Sequence, residues 1–323
     1  MLSTSVRDWL TEPTQPSMRL LTLTELLGRK RSDLEVGKAR RSLLRTGWVA
    51  DLLAERTPAG TWGEAGNLYF PKYQSTNWKL LVLSDLGVTR EDDEVRRSCD
   101  LWLDAMARPD GGFGLAGGRS SHVCVTANAA RALVRFGYGD DRRVRSAFDW
   151  LVDDADPKGG WSCFGSGRLL DTWESLSAFA VLPQARRTPS MNECIERGAE
   201  FFLQRELHRQ GGRYEPWFRT HYPFHYYYDM LVGLDCLTAL GYGGDPRLEF
   251  ALSWLKKKRR RDGRWELDAV HPDVEGGIAE WYRSHPKKNP TPFGLETPGR
   301  PSKMITFLAA RVLARVDRAS KGR

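Results

Sequence analysis

The sequence predicts an all-α ring, an (α/α)6 toroid of six inner and six outer helices. Three observations carry that prediction: a turn signature recurring about every fifty residues, apolar helices alternating with amphipathic ones, and a lack of alternating strand runs. The signature places glycine or another turn residue just ahead of an aromatic. It reads Gly60-Thr61-Trp62-Gly63, Gly111-Gly112-Phe113-Gly114, Gly159-Gly160-Trp161-Ser162 and Asp262-Gly263-Arg264-Trp265, with a weaker copy at Gly211-Gly212-Arg213-Tyr214. Successive aromatics stand 51, 48, 53 and 51 residues apart.

Most signatures follow an amphipathic helix, expected at 95–106, 144–152, 194–207 and 248–255. Each precedes a more apolar helix, expected at 78–86, 123–136, 173–182, 226–240 and 304–313. Two of these run into the same turn, Gly137-Tyr138-Gly139 and Gly241-Tyr242-Gly243, whose first glycine suits a left-handed helix C-cap. Segments 6–10 and 18–27 supply an N-terminal pair, completing six. Helix pairs of this period bury their faces only by stacking on neighbours. Periodicity alone leaves open whether the stack is a superhelix or a ring. The second helices are apolar nearly all round, and an inner ring wrapped by an outer one buries them on both sides.

Bulk properties fit one domain over residues 1–323. Hydrophobic residues make up 41% and charged residues 28%, the balance of a globular chain. The first thirty residues hold Arg7, Asp8 and Glu12 and no long apolar run, so they read as neither signal peptide nor membrane span. A cytoplasmic protein is expected. The five cysteines are widely spaced and include no CxxC, which argues against a disulfide framework. The net charge of +8 is dispersed except at 256–261, a basic helix end with no accompanying nucleic-acid motif.

The Gly-x-Trp/Phe turns joining outer to inner helices resemble those of the prenyltransferase and squalene-cyclase repeat family along almost the whole chain. The resemblance implies a toroid whose central cavity is reached from the end where the inner helices begin. In protein prenyltransferase β subunits, Asp-x-Cys opens one inner helix, His-Thr opens a later one, and those Asp, Cys and His residues bind zinc. Here His122-Val123-Cys124 and Asp171-Thr172 stand at comparable places, so the ligand set recurs with His and Asp exchanged. Imidazole, thiolate and carboxylate are good zinc ligands, and three of them leave a fourth position for water or a substrate thiol. The same residues also read as a satisfied histidine, a buried thiol and a helix cap. Of the family's diphosphate-holding cations near this motif, only Arg119 keeps a charge. No second subunit is indicated.

Class II cyclases of the same family open an inner helix with Asp-x-Asp-Asp-Thr, whose central acid protonates an alkene. Leu170-Asp171-Thr172 keeps the last Asp and the Thr. Asp153-Asp154-Ala155-Asp156 lies at the end of an outer helix, on the wrong side of the repeat. Segment 216–229 is dense in aromatics and includes His225, Tyr228 and Asp229, residue types able to line a pocket, stabilise a cation or move a proton. The insert 267–301, with five prolines between Pro286 and Pro301, has the length and composition of a lid.

Two function classes follow. One is an enzyme acting on a lipophilic or anionic small molecule of isoprenoid type. Zinc would sit on His122, Cys124 and Asp171, with Asp171, Asp229, Tyr228 and His225 as acid–base groups and Trp78, Arg119, Trp173, Trp217 and Lys303 against the substrate. A metal-free variant uses Asp171 as acid. The other class is a ring that binds a ligand or peptide without chemistry. A sugar-processing ring with paired carboxylates (Asp171, Glu174, Asp229) borrows only the barrel. No nucleic-acid partner is expected.

Overall fold

The computed structural model describes residues 2–115, 118–163, 173–208, 214–271, 284 and 292–321. Among them are thirteen α-helices and three isolated β-bridges, with no strand. The helices are α1 (Thr4–Leu10), α2 (Pro16–Leu21), α3 (Leu34–Ser42), α4 (Trp48–Ala54), α5 (Thr76–Asp85), α6 (Asp93–Met106), α7 (Val123–Phe136), α8 (Arg142–Asp153), α9 (Trp173–Val181), α10 (Pro189–Leu203), α11 (Met230–Ala239), α12 (Glu249–Lys257) and α13 (Lys303–Lys321). A π-helical turn, Thr22–Leu26, extends α2.

The helices form two concentric layers. In the inner layer α5 packs on α7, α7 on α9, α9 on α11, α11 on α13, and α13 on α2 and its π turn. Gly87, just past α5, faces Leu20 and Leu21 of α2 and completes the circle. The outer helices α4 and α6 pack on α5, α8 on α7, α10 on α8 and α9, and α12 on α11. The chain is therefore an α/α toroid.

Burial explains the two helix types. Every residue of α9 from Trp173 to Phe179 is buried, as is every residue of α5 except Asp85. Outer helices such as α8 bury one stripe, Val144, Ala147, Phe148 and Leu151, and expose the rest.

The recurring turn is one structural unit. Gly60, Gly111, Gly159 and Gly263 each precede the aromatic by two residues, with φ of 90°, 100°, 85° and 84°. Trp62, Trp161 and Trp265 donate their indole N–H to the carbonyl ten residues earlier, that of Leu52, Leu151 and Leu255, at 2.7, 2.9 and 2.8 Å. Threonine hydroxyls near the start of the next inner helix accept the aromatic's backbone N–H: Thr76 from Trp62, Thr126 from Phe113 and Thr306 from Trp265. The Trp62 and Trp265 turns make both bonds and so stitch an outer helix end to an inner helix start. A Cβ at Gly159 would lie 2.3 Å from the Arg197 carbonyl oxygen, whereas one at Gly28 (φ 63°) meets nothing within 4 Å. Gly159→Ala should cost at least about 2 kcal/mol and Gly28→Ala about 1 kcal/mol, compared by urea denaturation.

The structure departs from the sequence expectation in three places. The sequence reading places no helix between residues 28 and 59, where the structure has α3 and α4. Helix α11 starts at Met230 rather than 226, because Tyr226 takes φ 63° and Asp229 acts as N-cap. Most of the expected lid, 272–283 and 285–291, lies outside the described residues. The described ends of that insert form a neck: the Leu267 N–H donates to Arg300 and the Gly299 N–H to Leu267, at 3.1 and 2.7 Å. Glu296 then caps α13, accepting from the Ser302 hydroxyl and from the backbone N–H groups of Lys303 and Met304.

Candidate functional site: a plugged mouth over an arginine-lined cavity

Side chains from the inner-helix starts meet a loop, 219–229, at the mouth of the ring. Tyr73 lies 4.9 Å from Trp78 and 4.8 Å from His225 between ring centres, and Trp78 lies 4.7 Å from Tyr226. Phe293, from the far end of the insert, closes on His225 at 5.3 Å. His225 and Tyr226 both take left-handed backbone conformations, which turn the loop inward. The mouth is filled by aromatic packing.

Asp229 anchors this plug. One carboxylate oxygen accepts from the His221 ring Nδ1 at 2.7 Å and its backbone N–H at 3.1 Å, and the other accepts from the Val232 N–H at 2.8 Å. Both side chains are essentially unexposed. Both Asp229 oxygens are thus engaged, one capping α11 and the other clamping His221. Tyr228 donates to the Leu207 carbonyl at 2.8 Å and packs between Phe202 and Trp217, behind the inner ring. Trp217 packs edge-on against it.

Burial pulls the His225 imidazole down to about 3, and its Nε2 lies 3.1 Å from the Phe293 carbonyl. It stays neutral where an unfolded histidine, titrating near pH 6.5, takes up a proton. The unfolded chain binds the extra proton between those values, so stability should fall as pH drops below about 6.5 and keep falling to about 3. His225→Asn should flatten that slope by about 1 kcal/mol per pH unit, read from urea midpoints at pH 7, 6, 5 and 4.

Below the plug the ring is hollow. One lobe of about 270 Å³ is walled by Trp173, Ser177, Phe224 and Val232 together with Arg131, Arg135, Asp235, Arg311, Arg315 and Glu25. An adjoining lobe of about 200 Å³ shares Glu25, Arg135, Phe224 and Arg311 and adds Leu21, Asp85, Met304, Phe307 and Leu308. Phe224 also lines a third, very small void with Trp78, Asn128 and His225. Phe224 thus contributes to the wall of all three.

The charges in this cavity are mostly paired. Arg311 grips Asp235 with two bonds of 2.9 and 2.7 Å and reaches Glu25 at 2.6 Å. Arg315 meets Asp235 at 2.8 Å, and Arg135 contacts Asp85. Burial alone would raise Asp235, but Arg311 and Arg315 outweigh it and hold the carboxyl below its ordinary range. Arg131 is the exception. It touches Asp85 only at 3.8 Å, and its Nε has no hydrogen-bond partner. Its guanidinium lies 5.4 Å from the centre of Trp173 and 5.6 Å from that of Phe224. Burial pulls it down to about 10, still protonated at neutral pH. The Ser177 hydroxyl, Trp173 indole N–H and Tyr222 hydroxyl are likewise buried and unpartnered.

Of the residues read from the sequence as substrate contacts, Trp173 walls the cavity and Trp78 belongs to the mouth. Arg119 is exposed on the loop before α7. Lys303 is a seam residue: its ammonium binds Glu12 at 2.8 Å and the Trp9 carbonyl, joining the last inner helix to the first pair. His122 stands exposed at the N-cap of α7. The Cys124 thiol is engaged by Cys163, which pulls its pKa down against the effect of burial. Asp171 lies outside the described residues. Among the described residues, no three His, Cys, Asp or Glu side chains gather to hold a metal ion.

Sequence reasoning missed Arg131, Arg135, Arg311 and Arg315, although a signal existed. Ala129-Ala130-Arg131-Ala132-Leu133-Val134-Arg135 in α7 and Ala309-Ala310-Arg311-Val312-Leu313-Ala314-Arg315 in α13 share one pattern. Arginines four apart on helices buried on both sides must face an interior polar space.

No protein-family model matches the chain, and no curated protein matches it. Among solved structures, the type II terpene cyclase MstE from Scytonema in its apo form is 17% identical, with 97% of this chain and 88% of that chain covered and a TM-score of 0.46. A variant of MstE in complex with geranylgeranyl dihydroxybenzoate is 18% identical, covering 97% and 87%, with a TM-score of 0.47. A protein from Actinoplanes is 17% identical, covering 96% and 90%, with a TM-score of 0.45. Among the described residues, no helix is long and apolar enough to cross a membrane.

Proposed function

We propose that this toroid admits an isoprenoid-type molecule to its central cavity and acts on it as a terpene-cyclase-like enzyme. The observation that carries the reading is the cavity wall: apolar side chains interleaved with buried polar groups that lack partners in the protein. Each lobe alone falls below the ~300–1,000 Å³ typical of ligand pockets, so the substrate spans both. Asp171, two residues ahead of Trp173 in the chain, is the acid of this reading. Incubation with isoprenoid acids, alcohols and diphosphates of ten to twenty carbons, with products separated by gas chromatography, tests it. Turnover that Asp171→Asn abolishes, with ligand binding retained, supports the proposal. Binding without turnover makes the ring a carrier.

Phe224 should set the length of the occupant. Phe224→Ala would enlarge both lobes that it lines and shift preference toward longer chains. It should cost less than the ~3–5 kcal/mol of a fully packed Phe→Ala change, because the ring already faces empty space. Relative affinities for ten- and fifteen-carbon ligands, with the urea midpoint, read both effects.

A further inference from the structure

We infer that Cys124 and Cys163 are a redox pair at the mouth of the ring, oxidised reversibly to a disulfide by peroxide. The inference does not depend on the proposed function.

The five cysteines fall into two groups. Cys99, Cys194 and Cys236 are buried, and burial pushes all three thiols up, that of Cys194 to about 11. Cys124 and Cys163 are half-buried. They are also the two that meet: far apart in the chain, their thiols share a hydrogen bond. Cys124 lies in the first turn of α7. Cys163 stands two residues beyond Trp161, whose indole N–H holds that turn to the Leu151 carbonyl. Helix α8, which precedes the turn, and α9, which follows it, both pack on α7. Two sulfurs already in contact need little backbone movement to bond.

The two thiols are not equivalent. The Cys124 sulfur accepts from the Val125 backbone N–H at a helix start and has Lys72 as a nearby cation. Both features favour the anionic form of a thiol. Cys163 has the Glu174 carboxylate for a neighbour, which disfavours it. Cys124 is therefore the nucleophile and Cys163 the resolving thiol. The Cys124 thiolate attacks one peroxide oxygen, the O–O bond breaks, and the departing hydroxide takes up the thiol's proton to leave as water. The Cys163 sulfur then attacks the sulfenic acid formed on Cys124. The S–O bond breaks, and the hydroxyl leaves with the Cys163 proton as a second water. Two thiols and one peroxide become one disulfide and two waters, with two electrons passing from sulfur to oxygen. A dithiol reductant reopens the bond by exchange.

Hydrogen peroxide added to the reduced full chain at pH 7 with a chelator present, followed by alkylation and peptide mass mapping, tests this. The expected product is a Cys124–Cys163 cross-link, lighter by two hydrogens and reopened by dithiothreitol, with Cys99, Cys194 and Cys236 still reduced. In Cys163→Ser, sulfenic acid trapped by dimedone at Cys124 should rise about tenfold over the wild type. Cys124→Ser should slow loss of the Cys163 thiol about tenfold. Circular dichroism checks that the variants fold, and the wild-type map decides alone if they do not. Three maps would overturn the inference: Cys124 carried on to sulfinic acid beside a reduced Cys163, either thiol joined to another cysteine, or both thiols intact while the urea-unfolded chain is oxidised.

Discussion

Arg311→Ala is expected to lower stability by about 3 kcal/mol or more, a large share of what a domain possesses. Arg311 sits on α13 and joins Asp235 of α11 to Glu25 of the π turn after α2. It therefore spans the seam where the last inner helices meet the first. Truncation leaves the exposed Glu25 without its guanidinium partner and the more deeply set Asp235 with Arg315 alone. Breaking a buried ion pair costs more than never having made it, because the survivor keeps its desolvation penalty. Replacing Arg311 and Asp235 together by Met and Leu should recover part of the loss, and a double-mutant cycle read by urea denaturation measures how much. Acid should act in the same direction. Asp235 is held below its ordinary carboxylate range, so its contribution is present above about pH 4 and is lost as pH falls below that.

The second large effect is expected at Asp229. Asp229→Ala removes the acceptor for two His221 groups and for the first turn of α11, and should cost about 3–5 kcal/mol. Asp229→Asn keeps an oxygen for Val232 and should cost roughly half as much. The change should also be felt at the mouth. Asp229 ties down the start of the 219–229 loop, and that loop carries Phe224, His225 and Tyr226 into the ring. Loosening it should speed ligand entry more than it changes affinity, which stopped-flow mixing with geranic acid can resolve.

The ring was legible in the sequence because its repeat has a physical cause. At four turns from an outer to an inner helix a glycine with positive φ stands two residues ahead of a buried aromatic, while Gly211, Gly212 and Arg213 of the weaker copy lie outside the described residues. The aromatic then recurs at the same spacing as the helix pairs. Helix α7 was readable to the residue: its end is fixed by Gly137 in the left-handed conformation. The start of α11 was not, because Tyr226, Tyr227 and Tyr228 continue the apolar pattern while the backbone turns away from helix.

The site was less legible. Motif comparison drew attention to the helix starts and to His122, Cys124 and Asp171, the last of which lies outside the described residues. The cavity, however, lies toward the other ends of the inner helices. Its signal was charge out of place, Arg131 and Arg311 inside sequences otherwise fit only for burial. Trp173 was found because it opens an inner helix and also faces the hollow. Asp229 and Tyr228 looked chemically active in a linear reading. Their partners, His221 and the Leu207 carbonyl, are positions that only folding brings into contact.

Hydrogen exchange on the intact chain, with and without saturating geranic acid, tests most directly that a closed ring encloses the ligand. The account predicts slowed exchange in α7, α9 and α11 around Arg131, Ser177 and Val232, with little change in α6, α8 and α10. Protection confined to the outer helices would contradict it.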